Sequence, residues 1–245
     1  MDGTKEKTRV AGSVDYAAGH DRKLDDASSY LHSDHSLVEE LVFAIKTGLD
    51  PDAKVLEIGC GGGHTAAKLV QLGFEVTATD FSETALEQAA RSYPGVDFQA
   101  TDATDLTFPD GSFNGVVAVE LIEHLADPRA HVREVRRVLR GRGTYFVKTP
   151  NRVLHDYYYR KNPEVARWHP SVMSAGELRS LLVSEGFNVR FVRMRRLPAY
   201  QIDKALTKLG PLAGLVKPIL RSVPLGWLPS AAQPSLICVA VKQGR

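Results

Sequence analysis

Short apolar runs rich in β-branched residues alternate with amphipathic segments along most of the chain. The runs predicted to be strands are KVLEI, FEVTAT, VDFQA, NGVVAV and GTYFVKT, followed by FNVRFVRM at residues 187–194 and SLICVAV at residues 235–241. Helices are predicted to begin near His64, Ser82 and Pro128, and Ser174 with Glu177 forms the capping box of another. Strands that alternate with helices need crossover connections, so the pattern predicts an α/β fold with a mainly parallel sheet and helices on both faces.

Two segments depart from this alternation. Residues 31–46 place leucine, valine and isoleucine on one helical face, and Gly48 ends that helix. We therefore expect residues 1–50 to form an N-terminal helical cap segment and residues 51–245 to form the main domain. Residues 205–234 are broken by prolines but are too apolar for a free linker. This segment is either a cover on the sheet edge or a lid over a hydrophobic substrate, and the sequence favours neither.

Composition and charge narrow the class of partner. The 245 residues carry a formal charge of only +2, which gives little attraction for nucleic acid or an anionic membrane surface. Cys60 and Cys238 lack the density of a disulfide framework and the spacing of a metal site. The polar start MDGTKEKTRV does not match a secretory signal, and no run has the length of a membrane span. We expect a cytoplasmic protein without a metal, a nucleic-acid partner or a membrane span.

The stretch VLEIGCGGGHTAAKL contains four glycines between a predicted strand and a predicted helix. A turn without Cβ atoms can approach a ligand closely, and the following helix offers unpaired amide donors. Gly59 and Gly61 fit the dinucleotide pattern G-x-G-x-x-G, but His64 occupies the third glycine position. Glu57 would repel a pyrophosphate at this turn and would suit a ligand with an amino group. Asp80, at the end of the second strand, is positioned to bridge two ribose hydroxyls.

The ends of the third and fourth strands supply further candidates at the same edge of the sheet. Asp102 and the backbone of Ala103 could contact an adenine amino group, and Phe81 could pack against the adenine face. Glu120 and His124, in VELIEHLADP, are expected in the same crevice, because ligands of open α/β sheets bind at the carboxyl ends of the strands.

At these residues the chain resembles the class I S-adenosylmethionine-dependent methyltransferases, in particular the small-molecule group that includes the ubiquinone-biosynthesis O-methyltransferases. VLEIGCGGG is similar to the family's first motif, TATD to its ribose-binding acid, TDATDLTFPDGSF to its adenine loop and VELIEHLADP to its fourth-strand motif. The resemblance implies a Rossmann-like, doubly wound sheet of seven strands with an antiparallel last strand. It also implies S-adenosyl-L-methionine as cofactor, contacted by Glu57, Gly59, Gly61, Asp80, Phe81, Asp102, Ala103 and Glu120.

Methyl transfer to a hydroxyl needs a base, and histidine is the usual choice near neutral pH. We consider His124 and His169 the candidate catalytic residues, with His155 as a weaker third candidate. The aromatic stretch HDYYYRKNPEVARWHP is predicted to be a loop that lines an acceptor pocket, with a short helix packed on the core as the alternative.

The predicted function is methyl transfer to a small and potentially hydrophobic acceptor, with a hydroxyl oxygen favoured. N- or C-methylation, an NAD-dependent oxidoreductase and a non-catalytic cofactor-binding protein remain as alternatives. Four arginines at helical spacing, Arg129, Arg133, Arg136 and Arg140, are predicted to form a solvated helix face.

Overall fold

The computed structural model describes residues 39–196, 217–218, 224, 226 and 228–244. Most of the predicted cap (residues 1–50) and most of the predicted cover or lid (residues 205–234) lie outside these residues, so both remain predictions. Among the described residues, no helix has the length and apolar character needed to cross a membrane.

Seven strands form one sheet in the order β3-β2-β1-β4-β5-β7-β6. Strands β1 to β5 run parallel to one another, and β7 is antiparallel to both β5 and β6. This confirms the predicted doubly wound mixed sheet with an antiparallel last strand. The strands are β1 (Lys54–Ile58), β2 (Glu75–Asp80), β3 (Asp97–Ala100), β4 (Phe113–Val119), β5 (Leu139–Pro150), β6 (Phe187–Val192) and β7 (Ser235–Lys242).

The described helices flank the sheet. They begin where the sequence provides caps: Ser82 accepts from the Ala85 amide, Asp127 accepts from Arg129 and Ala130, and Ser174 forms the predicted capping box with Glu177. The helices are α1 (Glu39–Gly48), α2 (His64–Gln71), α3 (Glu83–Ser92), α4 (Pro128–Val138), α5 (Arg152–Lys161), α6 (Pro163–Ala166) and α7 (Ala175–Ser184), with short 3-10 turns at Ile122–His124 and Ser230–Ala232.

Two apolar clusters cover the two faces of the sheet. Leu56 and Val116 point into the cluster that α4 and α7 cover, whereas their neighbours Val55 and Val117 point into the cluster under α1, α2 and α3. The central strands are therefore buried on both sides, which explains why they are nearly continuous apolar runs. This packing fixes the carboxyl ends of β1, β2, β4 and β5 at one edge, where polar side chains can converge.

The structure decides between the two alternatives for the aromatic stretch after β5, and two other local predictions were wrong. The stretch forms a helix and not a loop: α5 begins behind the cap Asn151, whose side chain accepts from the Val153 amide. Arg140 does not continue the arginine face of α4, because that helix ends at Val138 and β5 begins at Leu139. The predicted strand at residues 187–194 ends at Val192, where its pairing with β7 stops.

Candidate functional site

The glycine turn is tied to the neighbouring strand and requires residues without side chains. The amides of Gly59 and Cys60 donate to the Thr79 carbonyl at 2.7 and 2.9 Å. Gly59 and Gly61 have φ values of 75° and 48°, in the left-handed region that residues with a Cβ rarely adopt. A Cβ on Gly59 would lie 2.8 Å from Leu121 Cδ1. The turn between β1 and α2 therefore needs glycine at these positions, both for its backbone conformation and for its close approach to Leu121.

Gly63, rather than position 64, permits close packing of the helix that follows the turn. Its φ is 78°, and an added Cβ would meet the Phe98 ring at 2.8 Å and Ala89 Cβ at 3.0 Å. The third-glycine role is thus displaced by one residue relative to the dinucleotide pattern. His64, which occupies the pattern's third position, hydrogen-bonds through Nδ1 with the Tyr93 hydroxyl at 2.6 Å.

Asp80 lies beside the turn with a fixed carboxylate. Its Oδ2 accepts from the Gly61 amide at 2.8 Å, and its Oδ1 accepts from the Ser82 amide at 3.0 Å. An ionised carboxylate has about four lone-pair positions, so these two contacts orient the group and leave acceptor capacity for hydroxyls of a ligand.

Glu57 is an acid buried directly behind the turn. Its side chain is 2% exposed, and Oε2 has no hydrogen-bond partner among the described residues. Burial, together with the charge of Asp80, raises the pKa of this carboxyl to about 8. Hydrogen bonds from Thr65 and Ala66 act in the opposite direction and lower the pKa. A buried polar atom without a partner is costly, and a cationic group at the turn would satisfy it.

The loop after β3 holds Asp102 and Ala103 in a defined conformation. Asp102 Oδ1 accepts from both the amide and the hydroxyl of Thr104 at 2.7 Å. Beneath the loop, His131 Nδ1 donates to the Ala103 carbonyl and Nε2 hydrogen-bonds with the Tyr145 hydroxyl, both at 2.9 Å. Burial lowers the pKa of His131 to about 4, so this histidine is a neutral structural group. Phe81, which directly follows Asp80, is 40% exposed.

Glu120 belongs to a buried charge cluster that the sequence prediction did not include. Its φ is 53°, and its carboxylate accepts from Lys148, which is fully buried on β5. Burial alone would raise the pKa of Glu120, but the Lys148 ammonium outweighs it and lowers that pKa. Burial and the charge of Glu120 raise the pKa of Glu123 well above its usual value, and Glu123 accepts from Thr149 at 2.9 Å.

A signal for this cluster was present in the sequence. Lys148 interrupts the apolar run of its strand, and Glu120 follows the end of the adjacent strand. What the sequence does not give is the register that pairs Val119 with Lys148 and so brings the two charges together.

The structure brings the two histidine candidates together. The rings of His124 and His169 are 4.5 Å apart, and Tyr159 lies 5.4 Å from His169. His124 Nδ1 lies 2.7 Å from the Trp168 carbonyl. Because a carbonyl can only accept, Nδ1 carries a proton, and the other ring nitrogen, Nε2, lies 4.0 Å from Glu123 Oε1. His155 instead hydrogen-bonds through Nδ1 with the Asn151 carbonyl at 3.0 Å.

The polypeptide around His124 is anchored to the WHPS segment. The Ser171 amide donates to the Glu123 carbonyl at 3.0 Å, and the Ser171 hydroxyl donates to the Leu125 carbonyl at 2.6 Å. Within the described part of the chain, no group of three or more histidine, cysteine or acidic side chains has the geometry of a metal site.

Comparisons with known proteins agree with this arrangement. A model of the methyltransferase domain family matches residues 56–147. A probable S-adenosylmethionine-dependent methyltransferase of Mycobacterium tuberculosis is 35% identical over 162 residues, which cover 66% of this chain and 57% of the relative. A ubiquinone biosynthesis O-methyltransferase of Mesorhizobium japonicum is 37% identical over 122 residues, covering 45% of this chain and 49% of the relative. The chain thus spans about half the length of the curated relatives that it matches.

Solved structures give the same fold. A structure from Thermotoga maritima, described as a methyltransferase dependent on S-adenosylmethionine and a possible histamine N-methyltransferase, superposes with a TM-score of 0.68. It is 20% identical and covers 93% of this chain and all of its own, which supports the fold alone. Residues 56–147 thus match the methyltransferase domain family, and the named relative that depends on S-adenosylmethionine supports the resemblance to the class I methyltransferases.

Proposed function

We propose that the chain transfers the methyl group of S-adenosylmethionine to a hydroxyl oxygen of a small molecule. The observation that carries this proposal is the buried Glu57 carboxyl, whose Oε2 has no partner among the described residues. It lies behind the glycine turn and beside the anchored carboxylate of Asp80. An acid of this kind fits an ammonium group, whose positive charge would favour the ionised form of the carboxyl.

The residues of the crevice fit the cofactor part by part. Glu57 would accept from the amino group, Asp80 from the ribose hydroxyls and Asp102 from the adenine amine. The backbone of Gly59 and Gly61 would lie against the part of the cofactor between its amino group and its ribose. Phe81 and Ala103 would flank the adenine. The Glu120 carboxylate is already paired with Lys148, so we propose that it acts mainly by fixing the end of β4.

S-adenosylmethionine, when bound, supplies a methyl group that is already activated by the sulfonium. The protein therefore has to position the acceptor, exclude water and remove the hydroxyl proton. His124 is the proposed base, because the Trp168 carbonyl fixes its Nδ1 proton and so leaves Nε2 as the nitrogen that would take the hydroxyl proton. His169, whose ring lies next to His124, and Tyr159, whose ring lies next to His169, are proposed to line the acceptor site.

Oxygen is favoured as the methyl acceptor for two reasons. A histidine base is useful for a hydroxyl and less necessary for an amine, and one relative is described as a ubiquinone biosynthesis O-methyltransferase. A hydrophobic acceptor would suit the aromatic surroundings of His169.

The proposal can be tested by supplying S-adenosylmethionine with a panel of phenols, catechols, aliphatic alcohols and amines, and locating the added methyl by mass spectrometry. We expect methylation of hydroxyl oxygen in at least one phenol or catechol. His124→Gln should lower the rate with an unsubstituted phenol by roughly a hundredfold, the lower range for a lost general base.

An acidic, nitro-substituted phenol provides the internal control. It is already ionised near neutral pH and should be methylated by His124→Gln at a rate close to that of the wild type. Methylation of amines alone would contradict the choice of oxygen. Equal rate losses for both phenols would contradict a role of His124 as base.

A further inference from the structure

A cavity lies at the end of the sheet opposite the glycine turn. Its volume is about 870 Å³. It lies where β5 begins at Leu139 and β7 ends at Lys242, between the last turns of α4 and α7. The methyltransferase site described above uses none of its residues.

The charge of this cavity differs from that of the molecule as a whole. Its lining contains four basic residues, Arg133, Arg136, Arg137 and Lys242, and two acidic residues, Asp110 and Glu185. The formal excess of two positive charges in the cavity equals the net charge of the entire chain. A concave basic site concentrates its field and attracts anions.

Two of the arginines are committed to the fold. Arg137 donates to Glu134, Asp110 and the carbonyls of Leu106 and Phe108. Arg133 is paired with Glu185 through Nε at 3.2 Å. Their positive charges are largely compensated within the protein, so they do not by themselves indicate a ligand.

Arg136 is different. Its Nε is buried and has no hydrogen-bond partner among the described residues. The guanidinium packs against Gly186, where an added Cβ would lie 3.0 Å from Nε and 3.5 Å from Cζ. Because Nε lies against Gly186, an anion in the cavity would bind the terminal nitrogens of this guanidinium, whose planar fork of donors matches an oxyanion.

We propose that this cavity binds the phosphate group of a small phosphorylated metabolite, with Arg136 as its principal ligand. A dianion matches the excess of two positive charges, and Lys242, whose Nζ donates to the neutral Leu139 carbonyl, is a second cation in the lining. The volume accommodates a molecule larger than phosphate itself. The proposal does not depend on the acceptor or on the activity proposed above.

Calorimetric titration with pyrophosphate at constant ionic strength tests this site. We expect the wild type to bind pyrophosphate and Arg136→Gln to bind it at least about tenfold more weakly, as for the loss of a charged hydrogen bond. Arg136→Lys, which keeps the charge but loses the fork, should fall between them. Arg91→Gln is the matched control, because Arg91 is an exposed arginine on α3 paired with Glu87.

Thermal unfolding and binding of S-adenosylhomocysteine would verify that each variant is folded, and Lys242→Gln offers a second route if Arg136→Gln fails to fold. Absence of pyrophosphate binding in the wild type, or equal binding by Arg136→Gln, would overturn the proposal. Tighter binding of a single-stranded RNA that also depends on Arg136 would overturn the assignment to a small metabolite.

Discussion

Glu57 shows what a single residue can and cannot reveal from sequence. Its position at the end of a buried strand was readable, because the apolar run stops at the glycine turn. Its ionisation was not, because that depends on burial and on the nearby charge of Asp80. In the folded protein its pKa is raised from 4.5 to about 8, so at neutral pH and without a ligand the carboxyl is mostly protonated.

This raised pKa predicts a pH-dependent cost in stability. The neutral carboxyl makes its full contribution to the free energy of unfolding below pH 4.5. That contribution is lost as the pH rises through about 8. Relative to the wild type, Glu57→Gln should therefore gain stability with rising pH, on the order of 1 kcal/mol per pH unit, and level off above about pH 8. Urea unfolding of both proteins at about pH 5 and about pH 8.5 measures the difference.

The same substitution should weaken binding of S-adenosylhomocysteine, because the amide cannot pair with the ligand's ammonium as a carboxylate does. A variant that is more stable at high pH yet binds more weakly separates a ligand-binding role from a structural one. A constant stability difference between the two pH values would contradict the raised pKa.

At the scale of elements, the unit formed by β1, the glycine turn and α2 depends on Gly63. Both its φ of 78° and the Phe98 ring at 2.8 Å from an added Cβ oppose any side chain. Gly73, at the other end of α2, has a φ of 94° but nothing within 4 Å of its Cβ position. The two glycines therefore separate backbone strain from crowding.

Gly63→Ala should cost about 2–4 kcal/mol in the free energy of unfolding, the sum of strain and overpacking. Gly73→Ala should cost only about 1 kcal/mol, from strain alone. Chemical denaturation of both variants measures the difference. Equal losses would show that α2 can move away from Phe98 and that the turn is less rigid than described.

Alternating elements were largely predictable because each strand is a buried apolar run bounded by polar residues. The sequence left α5 open between a loop and a helix because three consecutive tyrosines have modest helix propensity, although Asn151 supplied a cap and Arg160 and Lys161 a basic last turn. The side chain of Asn151 also donates to the carbonyls of Ala231 and Gln233. Contacts like these, with residues 80 and 82 positions away, cannot be seen in a local pattern.

The described part of the molecule carries acidic and basic residues at opposite ends of the strands. Acidic residues collect where the parallel strands end, at Glu57, Asp80, Asp102 and Glu120, and basic residues collect around Arg136 at the other end. A formal net charge of +2 conceals this separation. The sequence indicated the acidic end because strand ends can be read from it, but the basic cavity requires knowledge of how α4, α7 and β7 meet.

Calorimetric titration with S-adenosylhomocysteine tests the central claim most directly. We predict that the wild type binds one molecule per chain and that Asp80→Asn binds at least about tenfold more weakly, because a charged acceptor is lost. Glu87→Gln, which changes an exposed acid on α3, should bind as the wild type does. If the wild type does not bind, or if Asp80→Asn binds equally well, the crevice at the ends of β1 and β2 does not hold this cofactor.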